Sequence, residues 1–434
     1  MKGSSVFPLA SRHLGAGLAT LTLVLTAACS GAGDADPAGA GGDDGEPVAV
    51  DISPEDGAED IKPNLPITVD AGDATITNVD VEQTGGEVPD EGEQGDEDAT
   101  GMTGTLNEEE NVWLSDWTLF PGADVTVTAT VQNENGEDSE AVSKFSTLPA
   151  TDGQRLELES NFPTSGDTVG VGMPVIVNFD LPVQNKKQVE NAIEVTSEEG
   201  MEGAFNWFGD QMAVFRPKDY WEPNQEITVD LRLAGVEASE GVYGTRNHQM
   251  NFEVGREMIS TIEDSEHTMV VERDGEEIKE FPISNGDASK EVYTTTSGVH
   301  LTMEKYDHLV MDSATVGIPK GHPDYYKLDV DYAVRISNSG EFTHSAPWNN
   351  RLGESNESHG CTNMAPSDAK WFYEESLMGD PVIINGTDRE LEVDNGWGFF
   401  QRSWEEWLEH SETGEAHKTD GKGTPGSVHA ETDE

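Results

Sequence analysis

The sequence predicts a mostly β chain: two tandem β-sandwich modules, then a third β domain of different pattern with one short helix and a C-terminal helical extension. Three observations point there. Apolar and polar residues alternate at period two in many short runs. Two stretches about a hundred residues apart repeat one another. A tight-hairpin signature opens the region after Arg256. At 434 residues the chain is long enough for about three domains.

Residues 1–28 hold Lys2 and Arg12 and no acidic residue, and an apolar stretch runs from Leu14 to Ala28. That length suits the apolar region of a signal peptide and is short for a membrane span. The stretch closes on Leu25-Thr26-Ala27-Ala28-Cys29, which resembles a bacterial lipoprotein signal, with Thr26 where a branched apolar residue is usual. The resemblance implies that Cys29 is lipidated and becomes the mature N-terminus. The protein is then expected outside the cytoplasm, anchored to the outer face of the membrane and facing the cell wall. Residues 29–47 follow as an acidic, flexible tether of Gly, Ala, Asp, Pro and Glu after Ser30.

The two modules are expected at 48–149 and 150–255. Val125, Val127, Ala129 and Val131 alternate with polar partners, as do Ile227, Val229, Leu231 and Leu233. Pro121-Gly-Ala-Asp-Val125-Thr-Val127 aligns with Pro223-Asn-Gln-Glu-Ile227-Thr-Val229, and Phe145 and Phe252 close the two units. The repeat has the size of an immunoglobulin-like sandwich. Residues 83–110 read as a disordered acidic insertion in the first module. Trp207 and Trp221 read as core side chains rather than ligand-stacking ones. The loop Glu237-Ala-Ser-Glu240-Gly241 reads as a solvated turn, with calcium binding the alternative. Both modules read as spacers.

Lys plus Arg number 25 against 85 Asp plus Glu, a net charge of −60. That balance excludes a nucleic-acid partner, which needs a basic face. It also excludes electrostatic docking on anionic lipid. It fits solubility and adaptation to high salt, where screening relieves self-repulsion.

The third domain is expected at 256–385. Residues 268–273, Asp274-Gly275 and 276–283 form a hairpin signal with a preferred turn dipeptide. Further strands are expected at 299–303 and 327–336, and a helix at 367–376 after Pro366. Residues 386–410 are expected to pack on this domain, because Trp397, Phe400, Trp404, Trp407 and Leu408 recur at helical spacing. Residues 411–434 read as a disordered tail.

Chemistry concentrates in His344-Ser-Ala-Pro-Trp348 and Ser358-His-Gly-Cys361-Thr-Asn363. A thiol is a weak nucleophile until an imidazole takes its proton. Gly360 lets the backbone bend beside Cys361 and aim N–H groups at a developing oxyanion. Cys29 and Cys361 are the only cysteines, so no disulfide framework is expected. A metal site from His344, His359 and Cys361 fits no common zinc spacing and lacks a fourth ligand. Neither metal nor cofactor is expected.

The second motif, with His344 seventeen residues before Cys361, resembles the catalytic motif of the L,D-transpeptidases. Met311-Asp-Ser-Ala-Thr315, Arg335-Ile-Ser-Asn-Ser-Gly340 and Trp371-Phe-Tyr373 resemble the branch with two immunoglobulin-like domains ahead of the catalytic one. The resemblance covers about residues 48–408. It implies a mixed β-sandwich catalytic domain with its site under a lid. It implies Cys361 as nucleophile, His344 as base oriented by the Ser345 carbonyl, and the Gly360 and Cys361 amides as oxyanion donors. Tyr326, Ser339, Gly340 and Asn363 would contact substrate, with His359 in the same cleft and Met311 and Trp348 on lid and wall. Val316 stands where the family often has a lid aromatic. The implied reaction is acyl transfer from a peptidoglycan tetrapeptide stem to the amine of a neighbouring stem, making a 3→3 cross-link with loss of D-Ala. Carbapenems are the implied inhibitors. The rivals are an L,D-carboxypeptidase using water, and a non-catalytic wall-binding lipoprotein.

Overall fold

A computed structural model describes residues 48–89, 101–421 and 427–430. The expected signal peptide, the tether and Cys29 lie outside the described residues. The described chain is mostly β, as predicted, with three short α-helices among the described residues.

The first module packs a four-stranded sheet against a three-stranded one. The first sheet orders Asp51–Ser53, Thr68–Asp70, Val112–Ser115 and Gly104–Leu106, and the second Thr75–Thr84, Asp124–Gln132 and Asp138–Ser146. Val125, Val127, Ala129 and Val131 all point into the core, so period two delivers one apolar face. The acidic segment is only partly an insertion. Residues 83 and 84 end a strand, and Gly104–Leu106 pairs with Val112–Ser115.

The second module is larger, with a four-stranded and a five-stranded sheet and a small three-stranded one, and the repeat is visible in its register. Val125 lies opposite Phe145 in the first module, and Ile227 lies opposite Phe252 in the second. Trp207 and Trp221 are core residues, their indole N–H groups donating to Glu190 Oε1 (2.7 Å) and the Met173 carbonyl (2.7 Å). The Glu237 carboxylate accepts from Gly241 N–H (3.1 Å) and from Asn64 of the first module (3.3 Å).

The third domain is a mixed sandwich. One sheet orders Glu276–Pro282, Thr268–Arg273, Met258–Glu263, Pro381–Asn385 and Gly298–Leu301, and the other Lys305–Asp312, Lys327–Arg335, Phe342–Ser345 and Thr362–Met364. The predicted hairpin forms, with Asp274 and Gly275 both at positive φ (52° and 76°), the backbone a two-residue primed turn requires. Two parallel pairings make the domain non-local: Met258–Glu263 beside Pro381–Asn385, and Phe342–Ser345 beside Thr362–Met364. The helix Pro366–Glu375 covers the second sheet through Ala369 and Phe372.

The C-terminal expectations hold in part. The segment expected to pack on the third domain does so through Leu391 N–H on the Ser297 carbonyl (2.8 Å), Asn395 on Ser339, and Gln401 Oε1 accepting from Val299 N–H (2.7 Å), and it also places Phe399 and Trp407 against Ile176, Ala204 and Val214 of the second module. The Trp407 N–H donates to the Ala204 carbonyl (2.9 Å), and the Arg216 guanidinium lies over Phe400 and Trp407 at 4.7 and 4.6 Å. Helical spacing shows that a face is buried but not which partner buries it. The single helix implied there is also split, because Ser403 caps Trp404–Leu408 in a capping box with Glu406.

The tail read as disordered is built at 411–421 and 427–430. His417–Lys418 adds an antiparallel edge strand to Glu202–Phe208, and Val428 enters the second module's core. The buried Glu190 carboxylate accepts from Ser411 Oγ (2.7 Å), Glu412 N–H (2.8 Å) and Thr413 Oγ (3.0 Å). Hydrogen bonds rather than apolar burial hold most of this segment, so composition does not reveal it.

Candidate active site

Cys361 sits at the entry to the strand Thr362–Met364, at the end of a self-locking turn. Ser358 Oγ donates to the Cys361 carbonyl (2.6 Å) and accepts from Gly360 N–H (3.1 Å). Gly360 has φ +123°, a conformation side chains disfavour, so glycine belongs there. The resemblance implied that the Gly360 N–H faces an oxyanion, whereas here it is engaged by Ser358.

His344 lies on the neighbouring parallel strand, in register with Asn363. Its Nδ1 is 3.0 Å from the Ser345 carbonyl oxygen, which can only accept. Nδ1 therefore carries the hydrogen, and in the neutral ring Nε2 is left as the acceptor. Burial pushes the His344 pKa down to about 4, so the ring is neutral near pH 7. Burial pushes the Cys361 thiol up to about 12, with a smaller upward contribution from Glu341 against opposing ones from the Phe342 N–H and Arg335. Both side chains are buried, Cys361 at 7 % exposure and His344 at 3 %. Burial thus favours the neutral form of both side chains near pH 7.

The other predicted residues fall into three places. Met311 and Tyr326 join Cys361 and Phe342 in one small apolar cluster. Burial first, and the nearby Cys361 second, push the Tyr326 hydroxyl up to about 12. Ser339 and Gly340 form a tight turn, and the Gly340 carbonyl accepts from Cys361 Sγ (3.6 Å). The Ser339 N–H is held by Asn395 Oδ1 (2.8 Å). A Cβ on Gly340 would come within 2.7 Å of Val316, whose 3₁₀ turn Ser313–Val316 overlies it. Trp348, 46 % exposed, stands 6.2 Å from the His344 ring.

His359 behaves differently from His344. It is exposed, and its ring sits between Tyr293 (4.2 Å) and Tyr326 (5.1 Å). Partial burial lowers its pKa, with Asp324 pulling the other way. Among the described residues no group of three or more His, Cys, Asp or Glu is arranged to hold a metal ion.

Sequence reasoning missed the supports of this site. Thr295 Oγ donates to the Gly360 carbonyl (2.8 Å), and Thr296 grips the buried Glu341. Lys290 bridges Asp324 (2.9 Å) and the Tyr293 hydroxyl (3.2 Å). The one available signal was the ionisable Glu341 at the start of an otherwise buried strand.

Comparison with known proteins agrees with this architecture. Residues 58–237 match the family model described as bacterial Ig domain, and residues 258–384 that described as L,D-transpeptidase catalytic domain. L,D-transpeptidase 2 of Mycobacterium tuberculosis (strain CDC 1551 / Oshkosh) is 32 % identical over 397 residues, 89 % of this chain and 92 % of the relative. L,D-transpeptidase 5 of M. tuberculosis (strain ATCC 25618 / H37Rv) is 28 % identical over 366 residues, 82 % of this chain and 76 % of the relative. The solved structure of LD transpeptidase LdtMt1 in complex with imipenem is 35 % identical, covering 52 % of this chain and 98 % of its own at a TM-score of 0.46. Related to L,D-transpeptidase 2 across nearly its whole length, the chain belongs to the L,D-transpeptidase family, with bacterial Ig structure ahead of the catalytic domain.

Proposed function

We propose that this protein forms 3→3 peptidoglycan cross-links through an acyl-enzyme on Cys361. The observation that carries the proposal is the His344 tautomer: Nδ1–H is fixed on the Ser345 carbonyl, which leaves Nε2 free to accept the thiol proton on the strand beside Cys361. Cys361 Sγ attacks the carbonyl carbon of the third residue of a donor tetrapeptide stem while His344 takes the proton. The C–N bond to D-Ala breaks, and the leaving nitrogen takes that proton from His344. An amine of the acceptor stem then attacks the thioester, its proton passes to His344, and the thiol is restored. One amide is lost and one is formed, so the exchange balances without a nucleotide. The Cys361 N–H serves the oxyanion directly, and the Gly360 N–H does so once Ser358 releases it. Tyr326, Ser339, Gly340, Asn363 and His359 line the donor's path, with Met311 and Trp348 as walls. The same proposal places the protein outside the cytoplasm, held to the membrane by lipid on Cys29.

The test is mass spectrometry of purified protein incubated with a disaccharide-tetrapeptide. A Cys361 adduct with loss of D-Ala, followed by a cross-linked dimer, is expected. Release of tripeptide without dimer would make the protein an L,D-carboxypeptidase, and no adduct would remove the acyl-enzyme altogether. A carbapenem, the inhibitor class that the family resemblance implies, should also acylate Cys361.

A further inference from the structure

We propose that Glu341 is a positioning residue for Cys361: its buried carboxylate, gripped by Thr296, sets the two peptide groups that face the thiol and puts a fixed negative charge beneath the Gly360 turn. The proposal rests on the acyl-enzyme reading above for its role in turnover.

Glu341 stands between the two residues whose backbone meets the sulfur. On one side the Gly340 carbonyl accepts from Sγ (3.6 Å), and on the other the Phe342 N–H faces it. At 4 % exposure the Glu341 side chain cannot turn to water. Its Oε1 accepts from Thr296 N–H (2.8 Å), and its Oε2 from Thr296 Oγ (2.7 Å) and Ser339 Oγ (3.5 Å). A buried carboxylate needs every donor it has, so these three bonds fix where it sits.

A histidine ring backs Thr296. His300 is fully buried, with Nε2 2.9 Å from the Thr296 carbonyl oxygen and 3.4 Å from Thr296 Oγ, and Nδ1 3.1 Å from the Ile336 carbonyl oxygen. Thr296 thus sits between the His300 ring and the Glu341 carboxylate, held from both sides. Its neighbour Thr295 donates to the Gly360 carbonyl (2.8 Å). Two adjacent threonines therefore tie down both backbone turns around Cys361: Gly340–Phe342 through Glu341, and Gly360 directly. A Cβ on Gly360 would lie 3.8 Å from Glu341 Cγ, so the carboxylate is packed directly under the turn.

Burial is the main reason the thiol stays neutral, and the Glu341 charge adds to it against the free thiolate. The titratable and charged groups around the sulfur are Glu341 and Arg335 on its own sheet, His344 on the adjacent strand and Tyr326 from the lid side. Arg335 is itself engaged by Glu304 (3.1 Å).

The experiment separates charge from position. In a His344→Ala background, where only free thiolate reacts, iodoacetamide alkylation of Cys361 is followed by peptide mass spectrometry from pH 6 to 9. Adding Glu341→Gln should raise the rate about 3–10-fold at each pH, because a nearby negative charge is gone while the shape is kept. In the otherwise native chain, Glu341→Ala should lower kcat for the tetrapeptide at least about tenfold with KM within a few-fold, because the reacting geometry loosens. Glu341→Gln should recover most of that loss. Thr296→Val, which keeps the fold and removes one donor, should lower kcat in the same direction. Unchanged alkylation in the Glu341→Gln pair, or Thr296→Val with native kcat, overturns the proposal. If wild-type protein is never acylated by the tetrapeptide while the alkylation shift persists, the acyl-enzyme reading fails and the charge placement stands.

Discussion

His344→Ala gives the most demanding test of how the thiol is activated. With the Cys361 pKa at about 12, the free thiolate at pH 7 is about one part in 10⁵. A reaction that waits for that species loses up to about 10⁵-fold against one in which His344 takes the proton within the encounter. The usual loss on removing a general base, about 10²–10⁴-fold, lies inside that bound and is the expected effect on acylation. The pH profile carries more information than the rate. In its folded state His344 titrates at about 4, so its basic form is present above that pH and is lost only as pH falls through it. Wild-type acylation by a carbapenem in single turnover should therefore stay level from about pH 5 to 8, not fall off near the ordinary histidine value of about 6.5. In His344→Ala the rate should instead climb about tenfold per pH unit, following free thiolate. His359→Ala should cost much less and leave the level profile, since that ring is exposed and lies tilted against Tyr293 and Tyr326. A level profile retained by His344→Ala, or acylation abolished by His359→Ala, would refute the assignment.

Three further outcomes are expected. Cys29→Ala should release the protein from membranes or block its processing, and unmodified Cys29 in an intact membrane-bound chain would end the lipoprotein reading. The thermal midpoint should rise from low to molar KCl, since −60 of net charge is relieved by screening, and a flat or falling midpoint would refute salt adaptation. Arg256→Ala should destabilise by about 3–5 kcal/mol in denaturant unfolding, because it strands the buried Asp380 that the guanidinium grips at 2.7 and 2.8 Å; a loss under about 1 kcal/mol would show that the carboxylate finds another partner.

Much of the fold was legible because its signals are local. Asp274-Gly275 dictates a primed turn wherever it sits between strands, and alternation at Val125 to Val131 leaves one face to bury. The Ser358–Asn363 motif was legible for a related reason: a glycine, a thiol and small polar neighbours specify a turn. What could not be read is long-range partnership. The aromatic spacing at 397–408 showed a buried face without revealing that the second module supplies the other half. The tail looks soluble because its attachment is polar, through Glu190. Glu341 looks like one more acid among 85, and only the fold shows it enclosed by Thr296 and Ser339.

The edge strand His417–Lys418 makes the order of synthesis matter. The second module's first strands leave the ribosome more than two hundred residues before the piece that caps them. Until then the backbone edge of Glu202–Phe208 is unpaired and Glu190 lacks the hydroxyls and amides that later surround its carboxylate. An open edge is where chains stick to one another. The dense like charge of this protein would keep nascent copies apart during that interval, so acidity that adds nothing to the finished core can protect the unfinished one.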